Sequence, residues 1–340
     1  MAEKRDYGSI LFTPEQAGVM TADYLRTRKD YKAWGIPFGV GAVDQPSNKK
    51  GEAKEFYVPL MPGELETVIA RPGHGKTGTM VARARRRADY LKAAGMKDRA
   101  VVYVTLEQSV EELNAFNIAA DRHISITDMA MGEIGIEEWK ACLEEGIRRR
   151  YTPIWNIGYR STPGVKQIRI DLDGIAGALH MIEDLHKQKI DLVFIDYLQR
   201  IPFDRNTESK TIGVSDNLDG LKTMALQVFK CPLVTGAQAV RDVDNRGEKG
   251  GGLPIPAMDD GQWTSNIEQT SDHVISLVRP RKYKAEGEDF GSMKVQGHCQ
   301  MLVSVLKQKL GASNFARWVM YDPIYNILDN LEMQKQGPRL

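Results

Sequence analysis

Cysteine is scarce: Cys142, Cys231 and Cys299 stand far apart in a chain of 340 residues, with neither the pairing pattern of a disulfide framework nor the spacing of a zinc site. A reducing cytoplasm is the simplest home. No apolar run approaches the length of a membrane span, and the opening Met1-Ala-Glu-Lys-Arg-Asp6 lacks the apolar core of a signal peptide, so no membrane partner is expected. Charge of one sign is missing too, since 46 Lys and Arg face 45 Asp and Glu. The whole-chain balance gives no argument for nucleic acid, and any such site has to come from locally placed basic groups. There is no repeat of fixed period and no long low-complexity tract.

What is present is an apolar fraction of 42%, enough to bury a sizeable core in one large domain or two ordinary ones. Residues 1 to about 13 read as a loose start. Thr13-Pro14-Glu15 then looks like a helix N-cap, and a helix to roughly Tyr31 follows, with Val19, Met20, Tyr24 and Leu25 on one side. Gly35-Ile-Pro-Phe-Gly39 and the polar insert Gln45 to Lys54 separate it from the rest.

From Tyr57 the pattern alternates short apolar strands with amphipathic helices. Strands are expected near 65–70, 101–105, 152–157, 191–196 and 232–236, and helices near 76–95, 109–122, 136–149, 171–188 and 213–230, with Ser109 and Glu112 forming a capping box. After 270 four strands follow without helix-length gaps, near 273–278, 301–306, 316–321 and 325–328. The pattern predicts an α/β fold, a mostly parallel sheet flanked by helices with a C-terminal antiparallel extension. Arg241 to Trp263, rich in Gly, Asp and Pro, reads as a long structureless connection of the kind that is usually functional or mobile. Arg83, Arg85, Arg86 and Arg87 read as a solvated helix face.

The chemistry begins at Ala70-Arg-Pro-Gly-His-Gly-Lys-Thr77, which leaves the strand Leu65–Ala70 and enters a helix. This is nearly the phosphate-cradling GxxxxGK[ST] loop, with alanine where the first glycine belongs. In that reading Arg71, Pro72, Gly73, His74, Gly75, Lys76, Thr77 and Gly78 surround the phosphates of ATP. Lys76 meets the β and γ phosphates, and Thr77 gives its hydroxyl to Mg²⁺. The competing reading is a glycine-containing turn with a chance Gly-Lys-Thr, and the strand, loop and helix order favours the phosphate site.

Three further strands end on polar groups that would arrive at the same sheet edge. Asp191-Leu-Val-Phe-Ile-Asp196 places Asp196 to hold Mg²⁺. Val101 to Glu107 delivers a carboxylate suited to deprotonating the attacking water, although a helix N-terminal charge before Ser109 is the plainer alternative. Leu233 to Gln238 ends on an amide able to sense the γ phosphate; alone it is weak evidence.

Taken in order, the chain resembles the RecA-like motor domain of DnaB-type replicative helicases. The match runs through Gly35-Ile-Pro-Phe-Gly39, Met61-Pro-Gly-Glu-Leu65, the A-R-P-x-x-G-K-T loop, Thr105-Leu-Glu107 and Ile195-Asp-Tyr-Leu-Gln199. It continues through Gln238, Ile267-Glu-Gln269 with Asp272, and Lys307-Gln-Lys309 with Gly311. The resemblance implies a RecA-like P-loop NTPase core over 35–330, preceded at 1–34 by a linker-like helix and arm docking on a neighbouring subunit, and followed by a tail at 331–340. It leaves no room for the family's N-terminal helical domain.

By the same resemblance Lys76, Thr77 and Asp196 bind nucleotide and magnesium, Glu107 is the catalytic base, and Gln238 reports the γ phosphate to the DNA-facing loop. The family works as hexameric rings around single-stranded DNA, with a primase or loader as further partner. A neighbour's late hairpin, here Lys307 and Lys309, completes each nucleotide site. The second of these is normally arginine, and lysine lacks its planar fork. By family position the DNA loops carry Arg205, Lys210, Thr211, Arg241, Arg246, Lys249 and Gly261, with Gly250 to Gly252 offering backbone N–H groups. Solvated loop charges are an equal reading there, since Asp242, Asp244, Asp259 and Asp260 offset them. Trp263 is read as a packing residue more readily than a base-stacking one. The expected function is an ATP-driven DNA helicase in replication. The alternatives are an ATP-switched, DNA-binding oligomeric assembly factor with little unwinding, and, further off, a RecA-like recombinase.

Overall fold

The computed structural model describes residues 13–29, 35–46, 55–149, 154–161, 169–203, 207, 209–249, 253–262, 266–291 and 293–331. They fall into two compact units, one within 1–35 and one within 36–340. The first contains the helix Pro14–Lys29. Its start is a reciprocal cap: Gln16 N–H donates to Thr13 Oγ1 at 3.2 Å and Thr13 N–H to Gln16 Oε1 at 2.8 Å.

The second unit is built on a nine-stranded sheet in the order β11-β10-β9-β6-β1-β5-β4-β2-β3. Its strands are β1 (Leu65–Ala70), β2 (Arg99–Ser109), β3 (Ile154–Tyr159), β4 (Lys189–Asp196), β5 (Leu233–Gln238), β6 (His273–Val278), β9 (Gln300–Lys307), β10 (Phe315–Asp322) and β11 (Ile327–Asn330). A separate small hairpin pairs β7 (Asp289–Phe290) with β8 (Met293–Lys294). The first six strands pair in parallel with one another, whereas β9, β10 and β11 are antiparallel, as the helix-free spacing after 270 predicts.

The near-continuous apolar strands divide between two cores with a period of two. Val68, Ala70, Val101, Tyr103, Leu192 and Phe194 join one cluster, which also takes Met80, Val81, Ala84, Ala88 and Leu91 of the helix Lys76–Ala93. Ile69, Val102, Val104, Val193 and Ile195 face the opposite cluster, with Ile175, Leu179, Leu218 and Leu221 from the helices Leu172–His186 and Lys210–Thr223. Strands covered on both faces need no polar side, so β1 is buried throughout.

The arginine face after the phosphate loop is a correction. Arg83 and Arg87 are buried, not solvated. Arg83 pairs with Glu66, which stands inside the apolar strand β1 and also accepts the Tyr57 hydroxyl. Arg87 donates to Asp191 Oδ2 at 2.6 Å and Oδ1 at 3.0 Å. A buried carboxylate on a neighbouring strand makes a buried guanidinium tolerable, and each requires the other. Arg85 pairs with Asp121 at 3.3 Å, also largely covered.

The long connection after β5 is not structureless either. It contains the helix Asp242–Lys249, whose first turn holds Asp242 and Asp244 at the favoured end of the helix dipole. A second short helix, Ile126–Met131, is capped by Ser125 and closed by Gly132 in the left-handed conformation. The Ser109–Glu112 capping box is present as expected, at 3.1 and 2.8 Å.

Candidate active site

Parallel pairing brings the ends of β1, β2, β4 and β5 to one edge: Ala70 is registered with Gln238, and Thr105 with Asp196. Around this edge lies a cavity of about 550 Å³, lined by Ala70 to Gly73, Gly75 to Gly78 and the side chains of Glu107, Tyr197, Arg200, Gln238, Arg279 and Tyr321 among others. Glu107, Gln238 and the glycine loop therefore border one space, as their strand-end positions imply.

Gly73 and Gly75 hold φ of +77° and +88°, a region side chains rarely adopt. A Cβ on Gly75 would stand 2.8 Å from Met301 Cε and from Tyr321 Cε1, and one on Gly78 would meet the Tyr321 hydroxyl at 1.8 Å. The loop is thus a backbone cradle at the N-terminus of Lys76–Ala93, the geometry that receives a phosphate chain.

Asp196 is the hub beneath it. It pairs with the Lys76 ammonium, and its Oδ2 accepts from Thr77 Oγ1 at 2.5 Å and from the Tyr103 hydroxyl at 3.3 Å. Burial first, and Asp196 second, push the Tyr103 phenol well above its ordinary pKa, so it stays a donor. A threonine hydroxyl and a carboxylate side by side are hard oxygen ligands, a donor set that fits Mg²⁺. Lys76 Nζ lies 4.3 Å from the centre of the Tyr197 ring.

The side chains of two loop residues are held by other parts of the protein. The Arg71 guanidinium donates to Asp244 Oδ2 from Nε and Nη2, at 3.0 and 2.8 Å, and to the Ala239 carbonyl at 3.0 Å. His74 is buried with its Nδ1 accepting the Arg279 N–H at 3.0 Å and its ring tilted against Tyr283. Burial, the largest effect, lowers its pKa to about 4, so the imidazole is neutral at pH 7. Both belong to the loop expected to surround the phosphates, and their side chains are engaged with the protein.

Gln238 is linked to the segment beyond β5. Its carbonyl accepts the Gln262 N–H at 2.8 Å, and Gln199 spans the gap by donating to the Gln262 carbonyl at 2.9 Å and accepting the Gln238 N–H at 3.2 Å.

Lys307 and Lys309 are elsewhere. Because β9 runs antiparallel, Lys307 is registered with Val274 at the start of β6, the sheet edge opposite the phosphate loop. Its ammonium donates to the carbonyls of Glu268 and Ser271 at 2.5 and 2.7 Å. Lys309 lies 3.8 Å from both Glu64 and Asp272.

Of the residues read as DNA ligands, Lys210 and Thr211 are exposed at the start of their helix, and Arg241 is exposed after β5. Arg246 departs from that reading: its guanidinium holds Asp260 in a two-pronged ion pair, because that buried carboxylate needs a counter-charge. Gly261 departs too, being buried in a bridge with Ala239. Arg205, Gly250 to Gly252, Trp263 and the side chain of Lys249 lie outside the described residues.

Two cavity residues, Arg200 and Arg279, escaped the sequence reading. Arg200 follows β4 and lies 3.6 Å from Glu107; Arg279 follows β6 and donates to the Gly73 and His298 carbonyls at 3.3 and 3.1 Å. Their signal was position: each comes shortly after a parallel strand that ends at this edge.

The DnaB-like helicase C-terminal domain model matches residues 54–325. The replicative DNA helicase DnaB of Leifsonia xyli subsp. xyli is 25% identical over 266 residues, 77% of this chain and 50% of that protein. The chain spans about half the length of the curated relatives it matches. Among solved structures, an ATPase domain superposes with a TM-score of 0.69 at 18% identity, covering 94% of this chain and 99% of that one. A DnaB-like replicative helicase, solved in a study of its interactions with primase, gives 0.64 at 20% identity, covering 80% and 58%.

Proposed function

This chain belongs to the DnaB-like helicase C-terminal domain family, and on that premise we propose that it is an ATP-hydrolysing ring motor that translocates on single-stranded DNA and unwinds duplex during replication. The observation that carries the reading is one cavity bordered by the glycine cradle, Lys76, Thr77, Glu107 and Gln238, with Asp196 buried behind it and held by Lys76 and Thr77.

In this mechanism the loop N–H groups and Lys76 hold the triphosphate. Thr77 and Asp196 would hold Mg²⁺, which when bound neutralises charge building on the phosphates. Glu107 takes a proton from water as its oxygen bonds to the γ phosphorus and the bond to the β–γ bridging oxygen breaks, releasing ADP and phosphate. Gln238 senses the loss of the γ phosphate and passes it to Gln262 through the hydrogen bonds at the end of β5.

Lys307 and Lys309, on the opposite sheet edge, serve a neighbour's site, which makes hydrolysis a property of the assembled hexamer. The helix Pro14–Lys29, with Val19 and Met20 exposed, docks on that neighbour. Lys210, Thr211 and Arg241 contact DNA phosphates, and a primase or loader is the expected further partner. The proposed place of action is the cytoplasm; among the described residues no helix is long and apolar enough to cross a membrane.

A forked-substrate assay tests the proposal. ATP-dependent strand separation by the wild-type chain and none by Lys76→Ala supports it; DNA-stimulated hydrolysis without separation favours the ATP-switched assembly factor.

A further inference from the structure

Three arginines line the cavity. Arg71 is engaged with Asp244 and the Ala239 carbonyl, and Arg279 with the Gly73 and His298 carbonyls. Arg200 differs, because it faces Glu107 itself, at 3.6 Å. The two side chains are half exposed, 53% and 51%.

The backbone holds Arg200 firmly. It ends the 3-10 turn Leu198–Arg200 directly after Asp196-Tyr197; its N–H donates to the Tyr197 carbonyl at 2.9 Å, and Leu198 is fully buried. Its guanidinium lies 5.9 Å from the centre of the Tyr197 ring, the same ring that Lys76 Nζ approaches to 4.3 Å. One aromatic residue thus borders both the loop lysine and Arg200, with the carboxylate of Glu107 beside the second.

We propose that Arg200 is a γ-phosphate ligand supplied by this chain to its own site, and that by engaging the phosphate it releases Glu107 for water activation. The inference rests on the ATPase reading above. The Tyr197 hydroxyl and Glu107 both act on the guanidinium, but a half-exposed ion pair is weak, so a phosphate bearing more charge and offering two oxygens to the planar fork takes the guanidinium in preference. Lys76 and Lys307 or Lys309 provide point charges, whereas Arg200 brings the fork. The contact is made by the terminal phosphate, so it strengthens binding of a triphosphate over a diphosphate. Arg200 moves away from Glu107 as it engages, leaving the carboxylate able to accept the proton of the attacking water.

The test compares the wild-type full chain with Arg200→Ala and Arg200→Lys, using Mg²⁺ with ADP or ATPγS in a fluorescent-nucleotide competition assay beside steady-state ATPase. ADP affinity is expected to hold within about twofold while ATPγS affinity falls about tenfold or more in Arg200→Ala, the scale of lost charge-assisted hydrogen bonds. The kcat is expected to fall roughly a hundredfold, less than for a fully enclosed arginine finger, with only partial rescue by Arg200→Lys. A merely structural role would weaken ADP and ATPγS alike and lower the melting temperature. That pattern, or an unchanged preference for ATPγS over ADP, overturns the proposal. A wild-type chain that binds both nucleotides but does not hydrolyse ATP contradicts the function proposed above, and the binding comparison still judges Arg200.

Discussion

Arg71 and Asp244 tie the phosphate loop to the segment after β5: two guanidinium N–H groups reach one carboxylate oxygen at 3.0 and 2.8 Å. Asp244 also accepts the Tyr283 hydroxyl at 2.7 Å, and Tyr283 stacks at a tilt on His74 of the same loop. These contacts connect the loop physically to the helix Asp242–Lys249, in the segment proposed to face DNA.

Asp244→Asn removes the charge from this link while keeping its size. Asp244 is partly exposed, so a stability loss of about 1 kcal/mol or less is expected. The larger effect is on coupling: the ratio of ATPase rates with and without single-stranded DNA should drop toward one. An unchanged ratio would show that the link does not carry the signal.

The buried Arg83–Glu66 pair is a second test. Both side chains are essentially inaccessible, and the Tyr57 hydroxyl also donates to Glu66. Glu66→Ala strands a buried guanidinium and should cost about 3–5 kcal/mol in urea unfolding. A loss below about 1 kcal/mol would mean that the pair is readily relaxed or hydrated.

His74 sets a pH dependence. Its folded pKa is lowered to about 4 from the ordinary 6.5, because burial disfavours the charged ring. Between those values the unfolded chain binds the proton and the folded chain does not, so the contribution is present in full above pH 6.5 and is lost as pH falls toward 4, about 3 kcal/mol in all. His74→Asn should flatten this acid limb in unfolding measured at pH 5 and 7. Equal pH slopes for variant and wild type would contradict the assignment.

Much of the site could be read from the chain because its groups sit where periodic apolar strands end. Asp196, Glu107 and Gln238 each close such a run, and parallel strands deliver their ends to one edge. Arg83 and Arg87 were misread because helix periodicity says nothing of a partner on the sheet; Glu66 inside an apolar strand was the available hint. For Arg246 the family position suggests DNA and the nearby Asp242, Asp244, Asp259 and Asp260 suggest a balanced loop; that Asp260 is its specific partner is decided only by the fold of this segment. Arg200 carries no motif of its own and acquires meaning only from its distance to Glu107.

The most direct measurement is single-turnover ATP hydrolysis by Glu107→Gln beside the wild-type chain, with Mg²⁺, single-stranded DNA and saturating nucleotide. The account predicts that the variant binds ATP about as tightly as wild type and hydrolyses it at least about a hundredfold more slowly, the scale of a lost general base. Hydrolysis by Glu107→Gln at near wild-type rate would contradict it.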